Sequence, residues 1–131
     1  MGVRFPSVAT TAFIGPLPAS AAETICATTP PLTIPLDFSQ VILLWSFTFL
    51  AGTGTTGFSM RIRRGTTTGG AQVGGHSWDF TIAAAASSCY GGAYVDTPGA
   101  VAGQQYTLTC VQTGATGAGT GEDVSLIAFA L

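Results

Sequence analysis

The sequence predicts an all-β chain, an antiparallel sandwich or barrel, on three observations. Strand-length runs of alternating or wholly apolar residues are separated at short intervals by glycine- and threonine-rich stretches. Eighteen glycines and many threonines disfavour a helical bundle and supply turns and strand formers instead. The third observation is the run VILLWSFTFL at residues 41–50, uncharged and rich in β-formers. It is too short to cross a bilayer as a helix, which takes about 20 consecutive apolar residues.

The elements follow in order. Residues 1–22 read as an irregular arm, with prolines at 6, 16 and 18 and no sustained period. Residues 23–28 form a short strand stopped by Thr29-Pro30-Pro31, and 32–36 an extended edge piece, because Pro35 cannot donate to a ladder. The long strand spans roughly 39–50. Alternation puts Val41, Leu43, Trp45, Phe47 and Phe49 on one face and Ile42, Leu44, Ser46, Thr48 and Leu50 on the other. A half-buried strand alternates apolar with polar; this one is apolar on both faces where it begins.

Residues 52–57 read as a turn. Phe58, Met60 and Ile62 then point inward, with Ser59, Arg61 and Arg63 outward. A glycine-threonine loop fills 65–75, and Trp78, Phe80, Ile82 and Ala84 form the next inward set. Residues 83–88 end that strand in a loop, 90–95 are a short strand closed by Asp96-Thr-Pro-Gly99, and 104–112 alternate with Tyr106, Leu108 and Cys110 on one face. Residues 114–121 are a hairpin loop. The last strand, 124–131, is apolar both at Val124, Leu126, Ala128 and Ala130 and at Ile127, Phe129 and Leu131.

At 131 residues the chain is one domain. Only 8% of its residues are charged, against a usual share of about 25%, and its mean hydropathy is +0.47. A chain so apolar sits in a membrane or buries surface against copies of itself or a partner, and no membrane helix is legible. Strands 41–50 and 124–131 are therefore expected to pack the core with one face and an oligomer axis with the other. The interface residues this predicts are Ile42, Leu44, Ser46, Thr48, Ile127, Phe129 and Leu131. A net charge of −2 supplies no field toward nucleic acid or an anionic membrane.

The chemistry-bearing residues are few. His76, the single histidine, lies beside Ser77 and near Asp79 in a glycine-rich loop and reads as a surface residue, not a triad member. Asp37, Asp79, Asp96, Glu122 and Asp123 are scattered, and Asp96 reads as a turn residue bonding its own backbone. The Gly-Thr-Thr-Thr-Gly-Gly stretch lacks the Lys-Ser/Thr ending of a phosphate loop. Cys26, Cys89 and Cys110 are odd in number, with no C-x-x-C pair, and read as free thiols in a reducing cytoplasm. No enzyme activity, cofactor or metal is expected. Arg61, Arg63 and Arg64 form the basic cluster, either an exposed face paired with acids or a docking patch whose guanidinium forks take carboxylates. Tyr90 and Tyr94, flanking Gly91 and Gly92, are the sugar-stacking candidates.

Taken together, VILLWSFTFL, FSMRIRRGTTTGG, VDTPGAVAGQQYTLTC and the terminal LIAFAL resemble the tumour-necrosis-factor-like trimeric jelly rolls of tailed-phage decoration (cement) proteins and fibre tips. The resemblance spans roughly residues 23–131. It implies an antiparallel jelly-roll sandwich at 23–131 behind an extended arm at 1–22, assembled as a homotrimer. It further implies a virion protein, made in the host cytoplasm, that binds the major capsid protein on the shell exterior and stabilises it. The contacts would come from the arm and the basic strand: Arg4, Phe5, Phe13, Arg61 and Arg63. A fibre-tip or lectin-like receptor-binding domain is the alternative. The arm contains Ala19-Ser20-Ala21, like a signal-cleavage site, but Thr10, Thr11, Gly15, Pro16 and Pro18 spoil the apolar stretch a secretion signal needs, so an arm laid on a partner fits better.

Overall fold

The structure, a computed structural model, describes residues 6–15, 17, 22–34, 38, 40–75, 77–99, 101–113 and 119–131. Among these residues ten strands form: β1 (Ser7–Ile14), β2 (Glu23–Thr28), β3 (Leu32–Ile34), β4 (Val41–Leu50), β5 (Thr56–Arg64), β6 (Trp78–Ile82), β7 (Ser87–Asp96), β8 (Val101–Gln104), β9 (Tyr106–Thr113) and β10 (Thr120–Ala130). One four-stranded sheet has the order β1-β10-β4-β7, the second β2-β9-β5-β6, and β3 pairs with β8. Every pairing is antiparallel. The first strand pairs with the last, the second with the next to last, and so inward to the β5–β6 hairpin. The chain is one long antiparallel ribbon rolled on itself, with β10 against β4 and β9 against β5 closing the roll. This is a jelly-roll sandwich.

Alternation builds the core as the sequence predicts. Val41, Leu43, Trp45, Phe47 and Phe49 are all buried, and they meet Phe58, Met60, Ile62, Tyr106, Leu108 and Cys110 of the second sheet. Phe49 stacks on Phe47 at 4.1 Å within its sheet and packs on Phe58 at 4.3 Å across the layers. Gly121 makes room for this cluster: a Cβ there would lie 2.2 Å from the Phe47 ring.

The two open sides of the sandwich are closed differently. On one, β1 is tied to the β2 side by hydroxyls: Ser7 Oγ donates to the Pro30 carbonyl at 2.5 Å and Thr11 Oγ1 to the Cys26 carbonyl at 2.7 Å. On the other, the edge strands β6 and β7 meet through aromatic rings. Phe80 stacks on Tyr90 at 4.1 Å, and Trp78 meets Trp45 edge-to-face at 5.4 Å. The Trp45 indole nitrogen is buried there without a hydrogen-bond partner among the described residues.

Several boundaries differ from the sequence reading. Residues 7–14 are not irregular arm but the strand β1, so the sandwich begins at Ser7. Its inward residues Ser7, Ala9 and Thr11 contrast too little with Val8, Thr10 and Ala12 to show a period, and β10 supplies the ladder instead. Thr56 and Gly57 belong to β5, β7 extends over Ser87–Asp96, β8 forms where a loop was expected, and β10 begins at Thr120. Ala84 is exposed in the β6–β7 turn, not inward.

In that turn Ala85 has φ of 54°, held by its N–H donating to the Gly52 carbonyl at 2.9 Å. A left-handed backbone costs an L-residue roughly 1–2 kcal/mol, part of which glycine loses again as unfolded-state entropy. Ala85→Gly is expected to raise stability by about 0.5–1 kcal/mol, seen as a higher urea midpoint at unchanged slope.

Candidate interaction surface

The outward face of the β1-β10-β4-β7 sheet is the most apolar exposed surface among the described residues. Register sets its rows. Val8, Ile127, Leu44 and Ala93 lie side by side across the four strands, and Phe129, Ile42 and Val95 form the next row. Val8, Leu44 and Val95 are 43%, 38% and 46% exposed. A third row is Ser125, Ser46 and Gly91. The two serine hydroxyls hydrogen-bond each other at 2.7 Å, so neither would be orphaned if this row were covered. Thr48 and Cys89 follow, beside Glu122. Among the described residues, charge enters this face at that end, through Glu122 and Asp123.

The predicted interface residues are thus brought together: Ile42, Leu44, Ser46 and Thr48 from β4, and Ile127 and Phe129 from β10 in register beside them. Leu131 follows β10, is exposed, and donates its N–H to the Gln40 carbonyl. Sequence reasoning missed Val8 and Val95, which widen the patch, and a groove of about 600 Å³ at its end. Pro6, Pro31, Leu32, Leu44, Ile127 and Phe129 line that groove. The β3 segment lies beside β10 only through the fold, so no local pattern marks it.

The opposite face carries an ion-paired cluster and exposes Ile25. Glu23 of β2 accepts from Arg61 Nη1 at 2.9 Å and from Arg63 Nε and Nη2 at 2.5 and 2.8 Å. Arg63 also donates to the Gly70 carbonyl. The Arg63 hydrogen bond lowers the Glu23 pKa most; burial works against it, and Arg61 adds to the lowering. Both arginines read from sequence as shell contacts are therefore held by one carboxylate of the same chain. Phe13 is 56% exposed at the far end of β1, opposite Glu122. Arg4, Phe5 and His76 lie outside the described residues.

Asp96 is more than a turn residue. It is 4% exposed and accepts from Arg64 Nε at 2.8 Å, Arg64 Nη2 at 2.6 Å and the Tyr106 hydroxyl at 2.8 Å. Burial alone would raise its pKa, but the Arg64 and Tyr106 hydrogen bonds outweigh burial and hold it below the usual aspartate value. Burial, then the bond to Asp96, pushes the Tyr106 phenol well up. Tyr90 is engaged by Phe80, and the Tyr94 ring abuts Gly74, so neither is a bare stacking platform. Among the described residues no cluster of His, Cys, Asp and Glu could hold a metal ion, and no helix is long and apolar enough to cross a membrane.

No family model and no curated protein sequence matches the chain. Solved structures share its fold. The VP2 subviral particle of infectious bursal disease virus superposes with a TM-score of 0.57 at 10% identity, over 94% of this chain and 32% of that one. The Gx strain of the same virus gives 0.55 at 11% identity, over 94% and 36%. Dimeric latent PorU from Porphyromonas gingivalis gives 0.58 at 10%, over 97% and 13%. The chain therefore spans about a third or less of these proteins' own length, and what they share with it is the jelly-roll sandwich.

Proposed function

We propose that this chain is a viral structural protein, a homotrimeric jelly-roll module that binds the outside of a capsid and stabilises it. The observation that carries the reading is the apolar outer face of β1-β10-β4-β7, set against a face on the other sheet that carries an ion-paired cluster. A lone molecule would leave Val8, Leu44 and Val95 in water, and contiguous apolar patches of this kind mark association sites. A jelly roll among virus particle proteins supports the viral setting. A trimer seated where shell subunits meet must leave before they part, so its binding raises shell stability by mass action, and many copies multiply a modest gain. With Arg61 and Arg63 occupied by Glu23, docking on the major capsid protein falls to the arm, where Arg4 and Phe5 lie.

Native mass spectrometry tests this, alone and after mixing with shells that lack the protein. The expected result is a species at three times the 13.2 kDa chain mass that binds the shells and raises their melting temperature. A stable soluble monomer overturns the trimer. A trimer that ignores the shells moves the assignment to the receptor-binding reading.

A further inference from the structure

The thiols at Cys26 and Cys110 stand in an arrangement that the packing does not require. Strand β2 is an edge, paired only with β9 in its sheet. Their register runs Thr24 opposite Cys110 and Ile25 opposite Thr109, then skips to Ala27 opposite Leu108. Cys26 is the extra residue of this bulge, which turns Cys26 and Ala27 inward in succession. Cys26 and Cys110 are 3% and 0% exposed in the same core, within hydrogen-bonding reach of each other. The Cys26 thiol also reaches the Thr24 carbonyl at 3.5 Å. Both are free, as is Cys89, which is exposed on β7.

We propose that Cys26 and Cys110 are a redox-responsive pair whose disulfide fastens the edge strand β2 to the central strand β9. The oxidant is a small disulfide such as oxidised glutathione. One cysteine thiolate attacks a glutathione sulfur, forming a mixed disulfide and releasing one glutathione thiolate. The second cysteine thiolate then attacks the protein sulfur of that mixed disulfide. The Cys26–Cys110 bond forms, the second glutathione thiolate leaves, and the two released thiolates carry away the two electrons and take up the two protons.

Access sets the rate. The hydrogen bond with Cys110, and burial after it, push the Cys26 thiol well above the ordinary cysteine range. The buried Cys26 thiol therefore stays protonated while the strands are closed, and exchange runs through opening of β2, whose ladder is on one side only. Bridging residues 26 and 110 closes a long loop, so the unfolded state loses more entropy than a short cross-link would remove. The disulfide adds a covalent tie to an edge strand that otherwise relies on its single ladder and a few side-chain hydrogen bonds.

The test uses the full chain carrying Cys89→Ser, so that only the pair can react. It is equilibrated with reduced and oxidised glutathione, quenched in acid, and read by intact mass and a non-reducing peptide map. The expected result is a loss of about 2 Da with residues 26 and 110 in one linked species. A Tm increase on the order of 10 °C should accompany it, and sub-denaturing urea should speed its formation. Two free thiols at equilibrium, or a lasting glutathione adduct on either cysteine, would overturn the proposal. Adding Cys26→Ser supplies the second check: with Cys110 alone and buried, no loss of 2 Da and no rise in Tm should appear. A Tm rise that survives this substitution would also sink the pair.

Discussion

Replacing Leu44 and Ile127 together by aspartate is expected to turn the proposed trimer into a soluble monomer with its fold intact. The two residues are register partners on the outward face of the sheet, so neither substitution touches the core. Each places a carboxylate where the assembly excludes water, and an unpaired buried charge costs several kcal/mol. Three copies of each stand in a trimer, so the dissociation constant should rise by about 1,000-fold or more. Light scattering across a dilution series reads the mass, and the near-ultraviolet circular dichroism should stay as it was. Ile25→Asp is the control: Ile25 is 44% exposed on the other sheet, and its change should leave the mass alone. A double variant that stays trimeric would show that this face is not the interface.

Asp96→Ala is expected to be the most destabilising single change of a polar side chain, by about 3 kcal/mol. It orphans the Tyr106 hydroxyl, which is fully buried at 0% exposure. Arg64 is less affected, because its side chain is 40% exposed and can turn to water. That exposure keeps the expected cost below that of a fully buried pair. The same network sets an acid limit. The Asp96 pKa is depressed in the folded state, so its contribution is complete above the ordinary aspartate value, about 3.9. It fades as pH falls from there through the folded value. Glu23 behaves alike, its carboxyl held low by Arg63 and Arg61. Urea midpoints between pH 6 and 2 should fall steeply in the natural protein and less steeply in Asp96→Asn, whose side chain does not titrate. Equal slopes would show that Asp96 does not carry the acid response.

The comparison between pattern and structure turns on distance along the chain. Side-chain direction in a strand is a local property with a period of two residues. The faces of β4, β5, β9 and the later part of β10 could therefore be read directly, and Phe47, Met60, Leu108 and Leu126 are buried as their positions imply. The doubly apolar strands β4 and β10 could likewise be singled out, and they are neighbours in the sheet. β1 was illegible because Ser7–Ile14 lacks contrast between its faces. β8 was illegible because four residues are too few to show a period.

By itself, the sequence determined that this protein is an all-β sandwich with an aromatic core and more apolar strand surface than one core can use. Hydrophobic burial and strand alternation suffice for that, since both act through each residue's own chemistry and its nearest chain neighbours. Only the tertiary structure decided which strands meet, and pairing is chosen by the whole ribbon. It brought Glu23 to Arg61 and Arg63 across about forty residues, so two arginines of the basic cluster share one carboxylate on their own sheet. It brought Arg64 and Tyr106 to Asp96 and set Cys26 beside Cys110 through a one-residue bulge. Register has no local signature, because a shift by one residue leaves every composition and spacing unchanged while exchanging the faces that meet.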